Sequence, residues 1–174
     1  SGTQAEQTAK IMVEYEKLLV NSDVDLCLVV GDVNSTMACA IVAKKLNIKV
    51  AHVEAGIRSD DLTMPEEINR MVTDSITDYF FTTTELATNN LKKIGVSKSN
   101  IFFSGNTMID TLVKQKENFY APKIWKDKSL QKNKYLVLTL HRPSNVDQQN
   151  ELKETMEAII NNSRNIPIVF PLHP

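Results

Sequence analysis

Apolar positions along the chain alternate between two spacings. Residues 3–20 place Ala9, Met12, Val13 and Leu19 at helical intervals, and "DLCLVVGD" then follows as an unbroken apolar run closed by Gly31 and Asp32. A short run of that kind between turn residues predicts a strand buried on both faces. An alanine-rich helix is expected over about 35–46, then the strand "IKVAHVEAG", a helix from about residue 65, the strand "DYFFTTT" and a helix over about 85–94. The short strand "IFFSG", a helix beginning near Thr107, the strand "KYLVLTLH", a helix over 149–163 and the strand "IPIVFPLHP" complete the series. Strand and helix in turn predict an α/β fold: a parallel, doubly wound, Rossmann-like sheet flanked by helices.

One stretch breaks this rhythm. "QKENFYAPKIWKDKSLQKNK", 115–134, holds a proline, six lysines and isolated aromatics. It predicts a linker over 115–133 between a partial domain at 1–114 and the start of a second at 134–174. The second piece contains only two strands and one helix, too little for a core of its own. The chain is therefore expected to be a section of a larger protein. No internal repeat or low-complexity segment is visible.

Composition narrows the partners. With 20 basic and 21 acidic residues, a net charge of −1 and 42% hydrophobic residues, the chain has no basic field to hold nucleic acid or a membrane surface. A small polar organic ligand is the expected partner. Cys27 and Cys39 lie in apolar stretches with no second pair at metal-ligand spacing, and read as thiols of a reducing compartment. No apolar run approaches the roughly 20 residues of a membrane span, so the expected location is cytoplasmic.

Ligands of an open parallel sheet collect beyond the carboxyl ends of its strands. Three predicted strand ends carry ionisable groups: Asp32 in "VVGD", Glu54 in "AHVEAG", and His141 with Arg142 in "LTLHRPSN". Each also has a structural reading. Asp32 can cap the following helix, although Asn34 and Ser35 suit that task equally. Glu54 can form an ion pair with Arg58 or Arg70, or it can be a functional carboxylate, costly to bury without a partner. His52 alternates with Glu54 and reads as structural. Glu66 fits a capping box, Thr63 to Glu66, behind Pro65, yet helical geometry groups it with Asn69, Arg70 and Thr73 on a polar face. His141 can serve as acid, base or donor to phosphate and Arg142 as an anion clamp, or the histidine can be bonded in a turn. Asn106, in the turn "SGNT", can cap a helix or help seat a phosphate. Glu67, Asp60 and Asp61 read as solvated charges. No glycine-rich phosphate loop, Ser-His-Asp arrangement or metal cluster is present in the sequence.

Five segments, "GD" at 31–32, "HVEAGIR" at 52–58, "MPEEINR" at 64–70, "SGNTMID" at 104–110 and "LTLHRPSN" at 138–145, closely resemble the non-hydrolysing UDP-N-acetylglucosamine 2-epimerases, in the same order and over most of the chain. The resemblance implies two doubly wound domains of the GT-B glycosyltransferase type, with substrate between them. It implies reversible epimerisation at C2 of UDP-N-acetylglucosamine to UDP-N-acetylmannosamine, through loss and re-addition of UDP and an enzyme-bound 2-acetamidoglucal, with no cofactor. By motif position Asp32, Glu54 and Glu66 match the family's catalytic carboxylates and His141 its histidine near the diphosphate; Arg142, Asn106 and Arg70 are candidate substrate contacts. The family's amino-terminal "GTRPE"-like segment and the glycine-rich, Ser- and Glu-bearing segment of its second domain are not in this sequence, so the 174-residue chain is expected to be inactive alone. The full-length protein is expected to be a homodimer that binds UDP-N-acetylglucosamine and UDP and serves cell-surface polysaccharide synthesis. A UDP-sugar glycosyltransferase and a hydrolysing epimerase are the alternatives on the same fold.

Overall fold

A computed structural model describes residues 2–140, 146 and 148–172. The chain forms two compact units, Ser1–Lys116 and Glu117–Pro174.

The first unit holds α1 (Gln4–Leu19), β1 (Leu26–Val30), α2 (Asn34–Lys45), β2 (Lys49–Val53), α3 (Pro65–Ile76), β3 (Tyr79–Thr82), α4 (Glu85–Lys93), β4 (Ile101–Phe103) and α5 (Thr107–Gln115). Its four strands pair in parallel in the order β1-β2-β3-β4, with Val29 opposite His52, His52 opposite Phe80 and Phe80 opposite Ile101. α1 begins with a capping box that the sequence reading had not singled out: Thr3 Oγ1 accepts from Glu6 N–H (3.2 Å) and Glu6 Oε2 accepts from Thr3 N–H (2.8 Å). Such a cap adds about 1 kcal/mol to the helix. The alanines of α2 let it approach closely, and Ala38, Ala40 and Ala43 are all fully buried. α2 also packs against both α1 and α3. Leu19, Cys27, Val29, Val42 and Val50 form one core cluster, and Ala55, Phe80 and Leu91 a second.

β1 departs from the expectation of burial on both faces. Cys27 and Val29 are buried, but Leu26, Leu28 and Val30 are 45%, 58% and 51% exposed. The reason is topological: each crossover advances one strand in the same direction, and right-handed crossovers then deliver α2, α3 and α4 to a single face. On the other face Phe81 stacks on Phe102 at 5.3 Å between ring centroids, and Phe102 remains exposed.

β3 is tied to its neighbours by Asp78. Its Oδ2 accepts from Val50 N–H (2.7 Å), and Lys44 Nζ donates to both carboxylate oxygens at 2.9 Å. Burial raises this carboxyl, but the Val50 amide and the Lys44 ammonium outweigh it and hold the group below its ordinary value. A lowered folded pKa means that the stabilisation is complete above the ordinary carboxyl pKa of 3.8 and is lost as pH falls through the folded value. Asp78→Asn is expected to cost about 1 kcal/mol at pH 7, the pair being about one-third exposed. In urea titrations the gap between wild type and variant should close at strongly acidic pH. A gap that persists there would exclude this account.

The second unit contains α6 (Lys123–Asp127), β5 (Leu136–Val137), α7 (Gln149–Asn162) and β6 (Ile168–Val169). β5 and β6 pair in parallel, Leu136 opposite Ile168. Both strands are shorter than the apolar runs "KYLVLTLH" and "IPIVFPLHP" suggest, because each has a single strand neighbour among the described residues. The lysine-rich stretch also carries structure. Trp125 in α6 meets Tyr135 edge-on at 6.2 Å, and Leu130 N–H closes the turn on Trp125 C=O (2.8 Å). Among the described residues no helix is long and apolar enough to cross a membrane.

Candidate active site

The carboxyl ends of β1 and β2 and the start of α3 build the site. β1 runs out at Val30, and Gly31, with φ of 71°, turns the chain while its N–H still donates to Val53 C=O (3.0 Å). Asp32 follows and does not cap α2. The capping position is Val33, without a side-chain bond, and Thr36 Oγ1 turns back to donate to Val30 C=O (2.7 Å). Instead the Asp32 carboxylate receives Arg70 Nη2, and Asn69 Nδ2 donates to the Asp32 carbonyl (2.8 Å). Asp32 is thus aimed from α3.

Glu54 stands one residue beyond β2 with φ of 71°, a left-handed conformation that a glutamate adopts at a cost on the order of 1 kcal/mol. It is half-buried and makes no hydrogen bond or ion pair among the described residues. The ion pair considered for it is therefore not formed: Arg58 goes to Asp74 (2.7 Å), and Arg70 goes to Asp32 and to Glu67 (2.9 Å). Its carboxylate lies beside the β1 turn, since a methyl group on Gly31 would stand 3.9 Å from Glu54 Oε2.

Glu66 opens α3 without capping it. The cap is Met64, again with no side-chain bond, while Thr63 donates through N–H (2.9 Å) and Oγ1 (2.6 Å) to Asp61 Oδ1. The Thr63–Glu66 capping box is replaced by this tighter local turn, leaving Glu66 exposed and unbonded among the described residues. Asp32 and Glu66 line one cleft of about 290 Å³, together with Asn34, Asn69, Gln4 and Gln7.

Glu67 corrects the reading of it as a solvated charge. It is 1% exposed and accepts from Ser59 N–H (3.0 Å), Ser59 Oγ (3.1 Å), Asp60 N–H (3.3 Å) and Arg70. Burial raises its carboxyl, and these donors more than reverse the shift, holding it below the ordinary glutamate value. Burial likewise disfavours the Arg70 charge, but Glu67 and Asp32 outweigh it and raise the guanidinium's pKa. Arg70, a candidate substrate contact in the sequence, is here the fixed cation between two carboxylates. Adjacent glutamates look alike in a sequence; the Glu67–Arg70 spacing of three was the available signal.

Behind these groups lies a buried network. His52 Nδ1 is 2.8 Å from Asp74 Oδ1 and its Nε2 is 2.9 Å from Gly31 C=O, while Gly56 N–H donates to Asp74 Oδ2 (3.1 Å). The polar face read for α3 is turned inward in part: Asn69 and Thr73 are buried, and so is Asp74, whereas Glu66 on that face is exposed along with Ile68 and Met71. Asp74 was not among the residues read from the sequence; its spacing of four from Arg70 was the available signal.

Asn106 is apart from this cluster. It follows β4 and caps α5, its Oδ1 accepting from Met108 N–H (2.9 Å), and it is exposed. His141 and Arg142 lie outside the described residues. Among the described residues no three His, Cys, Asp or Glu side chains are grouped so as to hold a metal ion. Chemically, the site offers three carboxylates around two adjacent strand ends: Asp32 anchored by a cation, Glu54 and Glu66 unpaired.

The profile of the UDP-N-acetylglucosamine 2-epimerase family matches residues 1–174. A UDP-N-acetylglucosamine 2-epimerase of Methanocaldococcus jannaschii is 43% identical over all of this chain and 49% of its own length. A UDP-2,3-diacetamido-2,3-dideoxy-D-glucuronate 2-epimerase of Pseudomonas aeruginosa is 36% identical over 99% of the chain and 49% of its own. The crystal structure of the Methanocaldococcus jannaschii enzyme in complex with UDP-GlcNAc and UDP superposes with a TM-score of 0.88, covering 100% of this chain and 49% of that one. The Neisseria meningitidis UDP-GlcNAc 2-epimerase bound to UDP-GlcNAc superposes at 0.86 with 30% identity, covering 99% and 49%. The chain thus spans about half the length of the curated relatives it matches. A parallel α/β unit of this kind, with its acidic strand ends and a match over every residue, belongs to the UDP-N-acetylglucosamine 2-epimerase family.

Proposed function

We propose that this chain supplies the acid/base carboxylates of an enzyme that inverts C2 of UDP-N-acetylglucosamine, giving UDP-N-acetylmannosamine. The observation that carries the reading is the placement of Asp32, Glu54 and Glu66 around the ends of β1 and β2 and the start of α3: none of them caps a helix, Asp32 is held by Arg70, and Glu54 and Glu66 form no ion pair among the described residues. The C2 proton is weakly acidic, so its removal requires a positioned carboxylate. As that proton leaves, the C–H electrons form the C1=C2 bond of 2-acetamidoglucal, and the C1–O bond breaks with its electrons going to UDP. Re-addition of the UDP oxygen to C1, with a proton delivered to the opposite face of C2, yields the epimer. Carboxylates near both faces of C2 serve a step of this kind, one as acceptor and another, protonated, as donor.

The reaction is redox-neutral and calls on no redox cofactor. His141 and Arg142 enter this proposal through the family resemblance, as groups beside the departing diphosphate, where positive charge and donors stabilise the leaving group. Asn106 and Arg70 enter as substrate contacts, Arg70 by way of Asp32. A homodimer in the cytoplasm belongs to the same proposal.

The test uses the full-length polypeptide, in which this chain is joined to the remaining half of the relatives' length. Proton NMR in deuterium oxide with UDP-N-acetylglucosamine should show deuterium entering C2 of an intact UDP-sugar. UDP-2,3-diacetamido-2,3-dideoxy-D-glucuronate, named for the Pseudomonas aeruginosa relative, is assayed in parallel. Release of free sugar points to hydrolysis, exchange in the second sugar alone transfers the reading to that substrate, and no exchange in either removes it. The isolated 174-residue chain serves as the inactive control.

A further inference from the structure

We infer that the buried pair His52 and Asp74 positions Glu54 and Asp32 for catalysis, an inference that rests on the epimerase reading above. Glu54 has a left-handed backbone and no described partner, so its place is set by what holds the chain on either side of it. Both sides converge on one carboxylate. Two residues before Glu54, His52 Nδ1 meets Asp74 Oδ1 at 2.8 Å; two residues after it, Gly56 N–H donates to Asp74 Oδ2 at 3.1 Å. Arg58 adds a third link at 2.7 Å to the same oxygen. The other nitrogen of His52 reaches the carbonyl of Gly31 at 2.9 Å, the residue before Asp32. Asp74 thus connects α3, which carries Glu66 and Arg70, to both strand ends that carry carboxylates.

Hydrogen-bond chemistry defines the state of the pair. A backbone carbonyl only accepts, so His52 Nε2 donates to Gly31. The 2.8 Å contact between Nδ1 and Asp74 Oδ1 holds one proton between ring and carboxyl. Asp74 is thus held through both of its oxygens, by His52 on Oδ1 and by Arg58 and the Gly56 N–H on Oδ2. A buried pair of this quality also stabilises the fold, and the test must separate that from positioning.

In the full-length enzyme, Asp74→Asn keeps the size of the side chain and removes the charge-assisted links. The expected result is a kcat lowered about ten- to a hundredfold per folded molecule with KM within about twofold, because sub-ångström misplacement of an acid/base group acts on the reaction rather than on binding. An unchanged kcat per folded molecule, or a rise in KM alone, overturns the inference. If Asp74→Asn does not fold, His52→Asn decides by the same split: a kcat lowered about tenfold or more per folded molecule with KM within about twofold supports the inference, and an unchanged kcat or a rise in KM alone overturns it. Wild type that exchanges no C2 proton in either UDP-sugar removes the epimerase reading itself, and the positioning inference with it.

Discussion

Replacing Glu54 by Gln in the full-length polypeptide is expected to lower kcat for C2 epimerisation by about 10²- to 10⁴-fold, the range for loss of a general acid or base. Stability should hardly change. Most buried carboxylates in this unit are bonded several times over, as Glu67 and Asp74 are, and neutralising one of those removes structure. Glu54 has no such bond to lose among the described residues, and glutamine matches it in size and in tolerance of the turn. Activity and melting temperature should therefore separate. Measured together, a large fall in kcat with the melting temperature within a few degrees supports the role of Glu54. A variant with near wild-type turnover excludes it, and the catalytic reading would then rest on Asp32 and Glu66.

The second large effect concerns stability. Gly56 has φ of 78°, and a methyl group there would come within 2.4 Å of the Ala87 carbonyl oxygen and 2.8 Å of Leu91 Cγ. Neither neighbour can retreat easily. Ala87 belongs to the backbone of α4, Leu91 is fully buried against Phe80, and Asn90 Nδ2 donates to Gly56 C=O at 3.0 Å. Gly56→Ala combines left-handed strain with overpacking and is expected to destabilise by about 3–5 kcal/mol. That is a large part of the ~5–15 kcal/mol that holds an ordinary domain together. Gly95 supplies the contrast. Its φ is 89° but nothing lies within 4 Å of the added methyl, so Gly95→Ala should cost only the strain, about 1 kcal/mol. Equal losses for the two variants in denaturant titrations would exclude close approach of α4 as the reason for glycine at 56. Gly56 also donates to Asp74, so the same substitution should disturb the turn that carries Glu54.

These predictions depend on features of unequal legibility. The alternation of strand and helix, and the three acidic positions at strand ends or a helix start, could be read directly because apolar spacing is a local property. Whether those acids were structural could not. Asp32, Glu54 and Glu66 each had a plausible local partner, and in each case the structure sends that partner elsewhere: Thr63 to Asp61, Arg58 to Asp74, and the α2 cap to Val33. Glu67 shows the reverse. It is indistinguishable from Glu66 in sequence, yet the loop at 59–60 folds its amides over one glutamate and not the other.

By itself, then, the sequence determined the α/β alternation and the motifs that resemble the epimerase family, since each depends on residues close together in the chain. The tertiary structure decided which side of the sheet is covered, which carboxylates are spent on structure, and that His52 and Asp74, 22 residues apart, meet behind Glu54. Those outcomes depend on competition among donors and acceptors brought together by the crossovers, and a hydrogen bond is assigned only when every partner within reach is in place.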